Sequence, residues 1–156
     1  MDGRFVRADT ADIERIWRER WGLPLISVRR QYEPADVEGM FYEDEWGTPQ
    51  GLVTWHVDGD DAEIVSLDAF EQGRHIGGRL IDAAENELLA LGVKRVTIVT
   101  TNDNIRALSF YVRHGYRLVA LHLDAVEAVR KVKPSVPLTG NHNLPLQDML
   151  ELVKQF

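Results

Sequence analysis

A strand-like segment that runs through a short turn rich in Gly and Arg directly into an amphipathic helix constrains this chain more than any other feature. It is Ser66–Ile81, read Ser-Leu-Asp-Ala-Phe-Glu-Gln-Gly-Arg-His-Ile-Gly-Gly-Arg-Leu-Ile. The geometry exposes successive backbone N–H groups at a helix N-terminus, where the macrodipole also favours negative charge, so the turn suits phosphate oxygens. The first functional reading is therefore a phosphate-bearing ligand.

The segments on either side limit the fold that can carry such a turn. Arg4–Arg7 reads as an opening strand, followed by a helix capped at Asp9 or Thr10 and running to Trp21, with Ile13, Ile16, Trp17 and Arg20 on one stripe. Leu25–Gly39 is weakly patterned, with an extended Leu-Ile-Ser-Val and a turn at 32–36. Met40–Trp46, Gly51–Val57 and Ala62–Leu67 then read as three strands of an antiparallel meander. Beyond the turn, Ile76, Leu80, Ala83, Ala84, Leu88 and Leu91 recur at helical spacing up to Gly92. Val93–Thr101 reads as a β-branched strand, Asn104–His114 as a helix capped by Asn102 or Asp103, and Tyr116–Leu123 as a strand. A short helix over Asp124–Lys133, a stiff Pro-rich loop over Pro134–Pro145 and an antiparallel strand at Met149–Val153 close the chain. This order predicts one α+β (mixed α/β) domain over residues 1–156. Its central mixed, mostly antiparallel sheet has six to seven strands flanked by helices, with middle strands made parallel by right-handed crossovers.

Composition removes several chemistries. With no cysteine, disulfides, thiolate metal sites and a cysteine nucleophile are excluded. The formal charge of −7 argues against broad attraction to nucleic acid or an anionic membrane. No apolar run reaches a membrane span and no signal-peptide pattern opens the chain, so a cytoplasmic location is expected. The histidines and carboxylates show no helical ligand pair, so no metal is expected. A Gly-x-Ser-x-Gly elbow and a Walker loop are absent. A Rossmann reading fails because Gly-x-Gly-x-x-Gly is missing and the turn follows a meander.

A second feature sits downstream in Asn104-Ile-Arg-Ala-Leu-Ser-Phe-Tyr-Val-Arg-His-Gly-Tyr116. Seven helical residues turn about 700°, which brings Asn104 and Tyr111 to within about 20° of each other on one helix face. An amide and a phenol can thus address one ligand, although a helix cap and an amphipathic core tyrosine would produce the same pattern. Together the two segments resemble the GNAT family of N-acetyltransferases. Gln72-Gly73-Arg74-His75-Ile76-Gly77 matches the family's acyl-CoA signature Gln/Arg-x-x-Gly-x-Gly/Ala except at His75, where Gly is usual. Asn104, Ala107, Phe110, Tyr111, Gly115 and Tyr116 fill every position of its second motif.

The resemblance implies a direct transfer of acetyl from acetyl-CoA to a primary amine of a small molecule or peptide, with no covalent enzyme intermediate and no metal. It implies that Leu67, Asp68 and Ala69 offer backbone groups to the pantetheine arm at a splayed, bulged strand. Gln72, Gly73, Arg74, His75, Ile76, Gly77 and Gly78 would wrap the pyrophosphate. Asn104 would contact the CoA arm, and Tyr111 would protonate the departing thiolate. His75 is compatible with the loop because His tolerates the left-handed region better than most residues. Arg74 and Arg79 would flank the phosphates or stand as solvated helix charges.

An alkylammonium acceptor must lose a proton before it attacks, so a base is also required. Glu63, sharing a strand face with Asp61 by two-residue alternation, is the first candidate; Asp68, His56 and a water chain are the others. The poorly patterned Leu25–Gly39 and Pro134–Pro145 segments are expected to border the acceptor cleft. A homodimer is the default expectation. The alternative function is a non-catalytic acyl-CoA-binding regulatory domain with the same fold.

Overall fold

The computed structural model describes residues 3–28, 30–71 and 75–156. The chain forms two compact units, one of Met1–Leu25, Gln31–Val96 and Phe156, the other of Ile26–Arg30 and Thr97–Gln155. Its strands include those of a seven-stranded, mostly antiparallel sheet accompanied by four α-helices, the mixed α/β class that the order of segments predicts.

The first unit holds β1 (Arg4–Arg7), α1 (Thr10–Arg20), β3 (Gln31–Tyr32), β4 (Glu38–Glu43), β5 (Pro49–Asp58), β6 (Asp61–Ala69) and α2 (Ile76–Ala90). The short β2 (Leu25–Ile26) and the start of β7 (Arg95–Thr101) lie at its boundaries. β4, β5 and β6 pair antiparallel in that order, giving the predicted three-strand meander, and β1 adds antiparallel to its β4 edge. Asp9 starts α1 because its carboxylate accepts from the Asp12 N–H at 2.8 Å, while the Asp12 carboxylate takes the Asp9 N–H at 3.4 Å. Ile13, Ile16 and Trp17 then fall on one face and are buried. Ile13 and Trp17 pack with Tyr32, and Ile16 packs with Phe41 and Leu52. Arg20, placed on the same stripe by sequence spacing, lies outside this core, with its guanidinium 4.7 Å from the centre of the Phe70 ring.

α2 buries Ile76, Leu80, Ile81, Ala84 and Leu88. Leu91, expected at the end of that stripe, is instead the exposed C-cap, and Gly92 follows it in the left-handed region at φ 84°. Gly51 of β5 lets this helix approach: a Cβ there would stand 2.6 Å from the Asp68 carbonyl oxygen and 2.7 Å from Leu80 Cδ1. Gly51→Ala is therefore expected to destabilise the chain by about 1–3 kcal/mol, the usual cost of overpacking, measured by denaturant unfolding.

The second unit holds most of β7, then α3 (Ile105–Arg113), β8 (Arg117–His122), α4 (Ala125–Val132) and β9 (Met149–Gln155). β7, β9 and β8 are neighbours in that order, and β8 pairs antiparallel with β9. Val126 and Val129 of α4 pack on Met149. The cap of α3 is Asn104 rather than Asn102 or Asp103: its Oδ1 accepts from the Ala107 N–H at 3.2 Å. Asp103 serves elsewhere, its carboxylate accepting from Thr101 Oγ1 at 2.5 Å and from the backbone and side-chain N–H groups of Asn141 at 2.8 and 3.0 Å. The Pro-rich loop is thus held as a stiff, ordered turn, with Arg130 also donating to the Pro137 carbonyl at 2.8 Å. No described helix is long and apolar enough to cross a membrane.

Candidate active site

α2 and α4 are entered through left-handed residues that form no side-chain cap, unlike α1 and α3, and of these two only α2 has no acidic residue in its first turn. α1 and α3 each begin on an Asp or Asn whose side chain accepts a first-turn N–H. α2 begins on His75, which makes no side-chain capping bond, and its first turn carries no acidic residue. Among the described residues its leading N–H groups have neither an intrahelical acceptor nor a side-chain cap, the condition under which a helix terminus attracts an anion. His75 sits at φ 56° and ψ 27°, so it adopts the left-handed conformation that the usual Gly would supply. Ile76 anchors the helix in the core, and Gly77 and Gly78 place no side chain over the first turn. Gln72, Gly73 and Arg74 lie outside the described residues. Arg79 packs its guanidinium 5.6 Å from the centre of the Tyr42 ring.

β6, the strand that leads to this turn, is bulged. Thr54 pairs with Ser66 and Trp55 with Ile64, leaving Val65 without a partner on β5. The bulge thus falls before Leu67–Ala69 rather than within it, and it resets which side chains face α1. Beyond it, Ser66 accepts from the Trp17 indole N–H at 3.0 Å and lies 2.7 Å from the Thr54 hydroxyl. Asp68, also buried, accepts from the Trp21 indole N–H at 3.1 Å. Leu67 and Ala69 are half-buried.

Burial pushes the Asp68 carboxyl above its ordinary value, against the Trp21 hydrogen bond and the nearby Arg20 charge, which pull it down. From the ordinary carboxylate pKa of about 3.9 up to the raised value, the folded chain holds a proton that the unfolded chain has released, so this group's contribution to stability falls as pH rises. Asp68→Asn removes that contribution while keeping an acceptor for Trp21. Its melting temperature relative to wild type is expected to climb as pH is raised from the acid side toward neutrality, and a constant offset would contradict the assignment.

Before the bulge, Glu63 is buried, and the Tyr32 hydroxyl donates to its Oε1 at 2.7 Å. Asp61, expected to share its face, is exposed, so the alternation holds in position but not in environment. His56 is the cross-strand partner of Glu63, and its ring centre lies 5.6 Å from that of Tyr32. His56 Nδ1 is 2.9 Å from the Asp36 carbonyl oxygen; a carbonyl only accepts, so Nδ1 donates to it. Glu63, His56 and Tyr32 thus form one polar cluster. Tyr32 and Trp21 were not singled out by sequence reasoning. A tyrosine in a poorly patterned segment and a tryptophan at a helix end carry no local signal, because their partners are 31 and 47 residues away.

In the second unit, Asn104 spends Oδ1 on its helix cap, and its amide N–H groups make no hydrogen bond among the described residues. Tyr111 is half-buried on α3, with the Phe110 and Tyr116 rings at 5.5 and 6.2 Å between centroids. Among the described residues no group of His, Asp and Glu is arranged to hold a metal ion.

The model of the acetyltransferase (GNAT) family matches residues 9–116, a span that contains the bulged strand, the α2 head and α3. The chain belongs to the GNAT acetyltransferase family. A GNAT acetyltransferase is an acyl-CoA-dependent enzyme, so the uncapped helix head and the bulged strand belong to an enzyme fold. The Bacillus subtilis (strain 168) protein named uncharacterized protein YxbD is 35% identical over 148 residues, covering 78% of this chain and 93% of that one. Among solved structures, the IAA acetyltransferase from Bacillus cereus ATCC 14579 superposes with a TM-score of 0.78 at 17% identity, over 99% of this chain and 100% of that chain. A GNAT family acetyltransferase from Elizabethkingia anophelis, solved with acetyl-CoA bound, does so with a TM-score of 0.69 at 18% identity, over 78% of each chain. At such identities the likeness is one of fold. Acetyl transfer follows from the family; the acceptor does not.

Proposed function

We propose that residues 1–156 act as one N-acetyltransferase domain that moves acetyl from acetyl-CoA to a primary amine by direct attack, in the cytoplasm. The observation that carries the reading is the uncapped, acid-free N-terminus of α2 entered through left-handed His75. Gln72 to Gly78 bind the pyrophosphate there, the backbone of Leu67, Asp68 and Ala69 receives the pantetheine arm, and the free amide N–H groups of Asn104 bind the CoA arm. The acetyl-CoA held by the Elizabethkingia anophelis structure supports this choice of cosubstrate.

In the reaction, the amine nitrogen forms a bond to the thioester carbonyl carbon, and the C–S bond breaks with its electron pair going to sulfur. Glu63, held by the Tyr32 hydroxyl, takes the proton that the ammonium group loses before attack, Tyr111 supplies one to the sulfur, and the second proton that the nitrogen sheds as the amide forms restores the Tyr111 hydroxyl. With no cysteine in the chain and no activated serine in view, no acyl-enzyme is formed.

A thermal-shift and turnover screen of amines, amino acids and N-terminal peptides with acetyl-CoA tests the reading. Acetyl-CoA at about 100 times its Kd should stabilise the chain by about 2.7 kcal/mol, and at least one amine class should turn over. Stabilisation without turnover of any amine would favour the non-catalytic acyl-CoA-binding alternative. Exchanging Leu25–Gly39 and Pro134–Pro145 together for those of another family member should change acceptor preference, since Tyr32 contacts Glu63 from the first and Asp103 fixes the second. Unchanged preference would refute their role.

A further inference from the structure

Asn102, Asp103 and Asn104 are consecutive, yet their side chains serve two different parts of the second unit. The Asn104 N–H closes a β-turn on the Thr101 carbonyl at 3.1 Å, with Asn102 and Asp103 at its two corners. Both corner side chains are bonded to the segment 140–148. Asn102 Nδ2 donates to the Pro145 carbonyl at 2.8 Å, and its Oδ1 accepts from the Gln147 and Asp148 N–H groups at 3.1 and 3.0 Å. The buried Asp103 carboxylate accepts from the backbone and side-chain N–H groups of Asn141 through one oxygen, and from the Thr101 hydroxyl through the other. Gly140 allows that approach, since a Cβ there would run into Asp103 Oδ2.

We infer that Asn102 and Asp103 are positioning residues for acetyl-CoA, fixing the turn so that its last residue, Asn104, holds its amide N–H groups ready for the CoA arm. The inference rests on the proposed contact of Asn104 with that arm. Asn104 Oδ1 is committed to the Ala107 N–H at 3.2 Å, so the direction of its amide N–H groups follows the backbone of the turn. A turn closed by one backbone hydrogen bond does not hold a single conformation by itself, and ordering it costs conformational entropy. The bonds from Asn102 and Asp103 to the segment 140–148 supply that order before the cosubstrate arrives, so binding does not have to. The Pro-rich loop thereby belongs to the acetyl-CoA site through the turn rather than by contact, and loosening the loop should be felt as weaker binding of the cosubstrate.

Calorimetric titration of the full chain with acetyl-CoA tests the coupling. Asn104→Asp keeps the capping oxygen and removes both N–H donors, and it should raise the Kd about tenfold. Gly140→Ala, which drives a methyl group into the Asp103 carboxylate, and Asn102→Ala should each raise it by about three- to tenfold, the worth of one misplaced hydrogen bond. Asn141→Ala takes a single side-chain bond from an exposed loop residue and should raise the Kd about threefold, whether or not the other two variants fold. Leu138→Ala, at an exposed position of the same loop, should leave it unchanged. In the Asn104→Asp background, Gly140→Ala and Asn141→Ala should cause no further loss, because an amide that is gone cannot be misplaced; a merely structural role would give the same loss in both backgrounds. Loop variants that bind like wild type while Asn104→Asp binds weakly would overturn the inference and leave the Asn104 contact standing. Losses that multiply with that of Asn104→Asp, or a Leu138→Ala that binds as poorly as Gly140→Ala, would do the same. A wild-type Kd for Asn104→Asp would overturn the contact and the inference together.

Discussion

Tyr111→Phe is expected to lower kcat by about 10²–10⁴-fold, the range for a lost general acid, with the Kd of acetyl-CoA unchanged. The substitution removes one oxygen and keeps the ring against Phe110 and Tyr116, so packing on α3 is preserved. The chemical demand is the charge that develops on sulfur as the C–S bond breaks. A phenol of pKa about 10 is a weaker acid than a thiol of about 8.5, so full transfer is uphill by about 2 kcal/mol. The proton therefore moves late, after a hydrogen bond to sulfur that strengthens in the transition state, and loss of the hydroxyl should appear in kcat rather than in binding. Single-turnover measurement of CoA release with the best acceptor of the amine screen reads the step directly. An unchanged rate would remove Tyr111 from the chemistry.

Glu63→Gln should cost about 10²–10⁴-fold in kcat/KM near neutral pH, and the loss should shrink as pH is raised toward the pKa of the acceptor amine. An alkylammonium of pKa about 10.4 is neutral in only about one molecule in 2,500 at pH 7, a deficit of about 4–5 kcal/mol that a base recovers at the site. Gln retains the volume and an acceptor for the Tyr32 hydroxyl, so the buried contact survives and the comparison isolates proton transfer. A pH–rate profile of wild type and variant separates this from a positioning role. A loss that stayed constant with pH would count against Glu63 as base and leave His56, its cross-strand partner, as the next residue to replace.

The strand and helix order was legible because periodicity is local: the meander, α2 and the final antiparallel strand all follow from spacing within a segment. The conformation of His75 was only partly legible: the Gly usual at that place in the family's motif allows the left-handed region and His tolerates it, but nothing local to the residue requires the φ of 56° that it adopts. What the sequence hid is long-range. The Trp17–Ser66 and Tyr32–Glu63 hydrogen bonds join residues 49 and 31 positions apart, and no pattern within a segment reports them. The bulge at Val65 was likewise hidden in its position, because Ala62, Glu63 and Ile64 are all buried and erase the alternation that would mark a change of face. Asp103 was read as a cap because capping residues cluster before helices, and it became a loop anchor because Asn104 already held the cap.

The most direct test of the account is a coupled measurement on the wild-type chain, in which acetyl-CoA is mixed with a primary-amine acceptor from the screen, released CoA thiol is titrated with a thiol reagent, and the acetylated amine is counted by mass spectrometry. The chain itself contributes no thiol to the signal, since it contains no cysteine. One N-acetyl product per CoA released, at a rate proportional to enzyme, is the predicted result. Binding of acetyl-CoA with no amine-dependent thiol release from any primary amine, amino acid or peptide would contradict it.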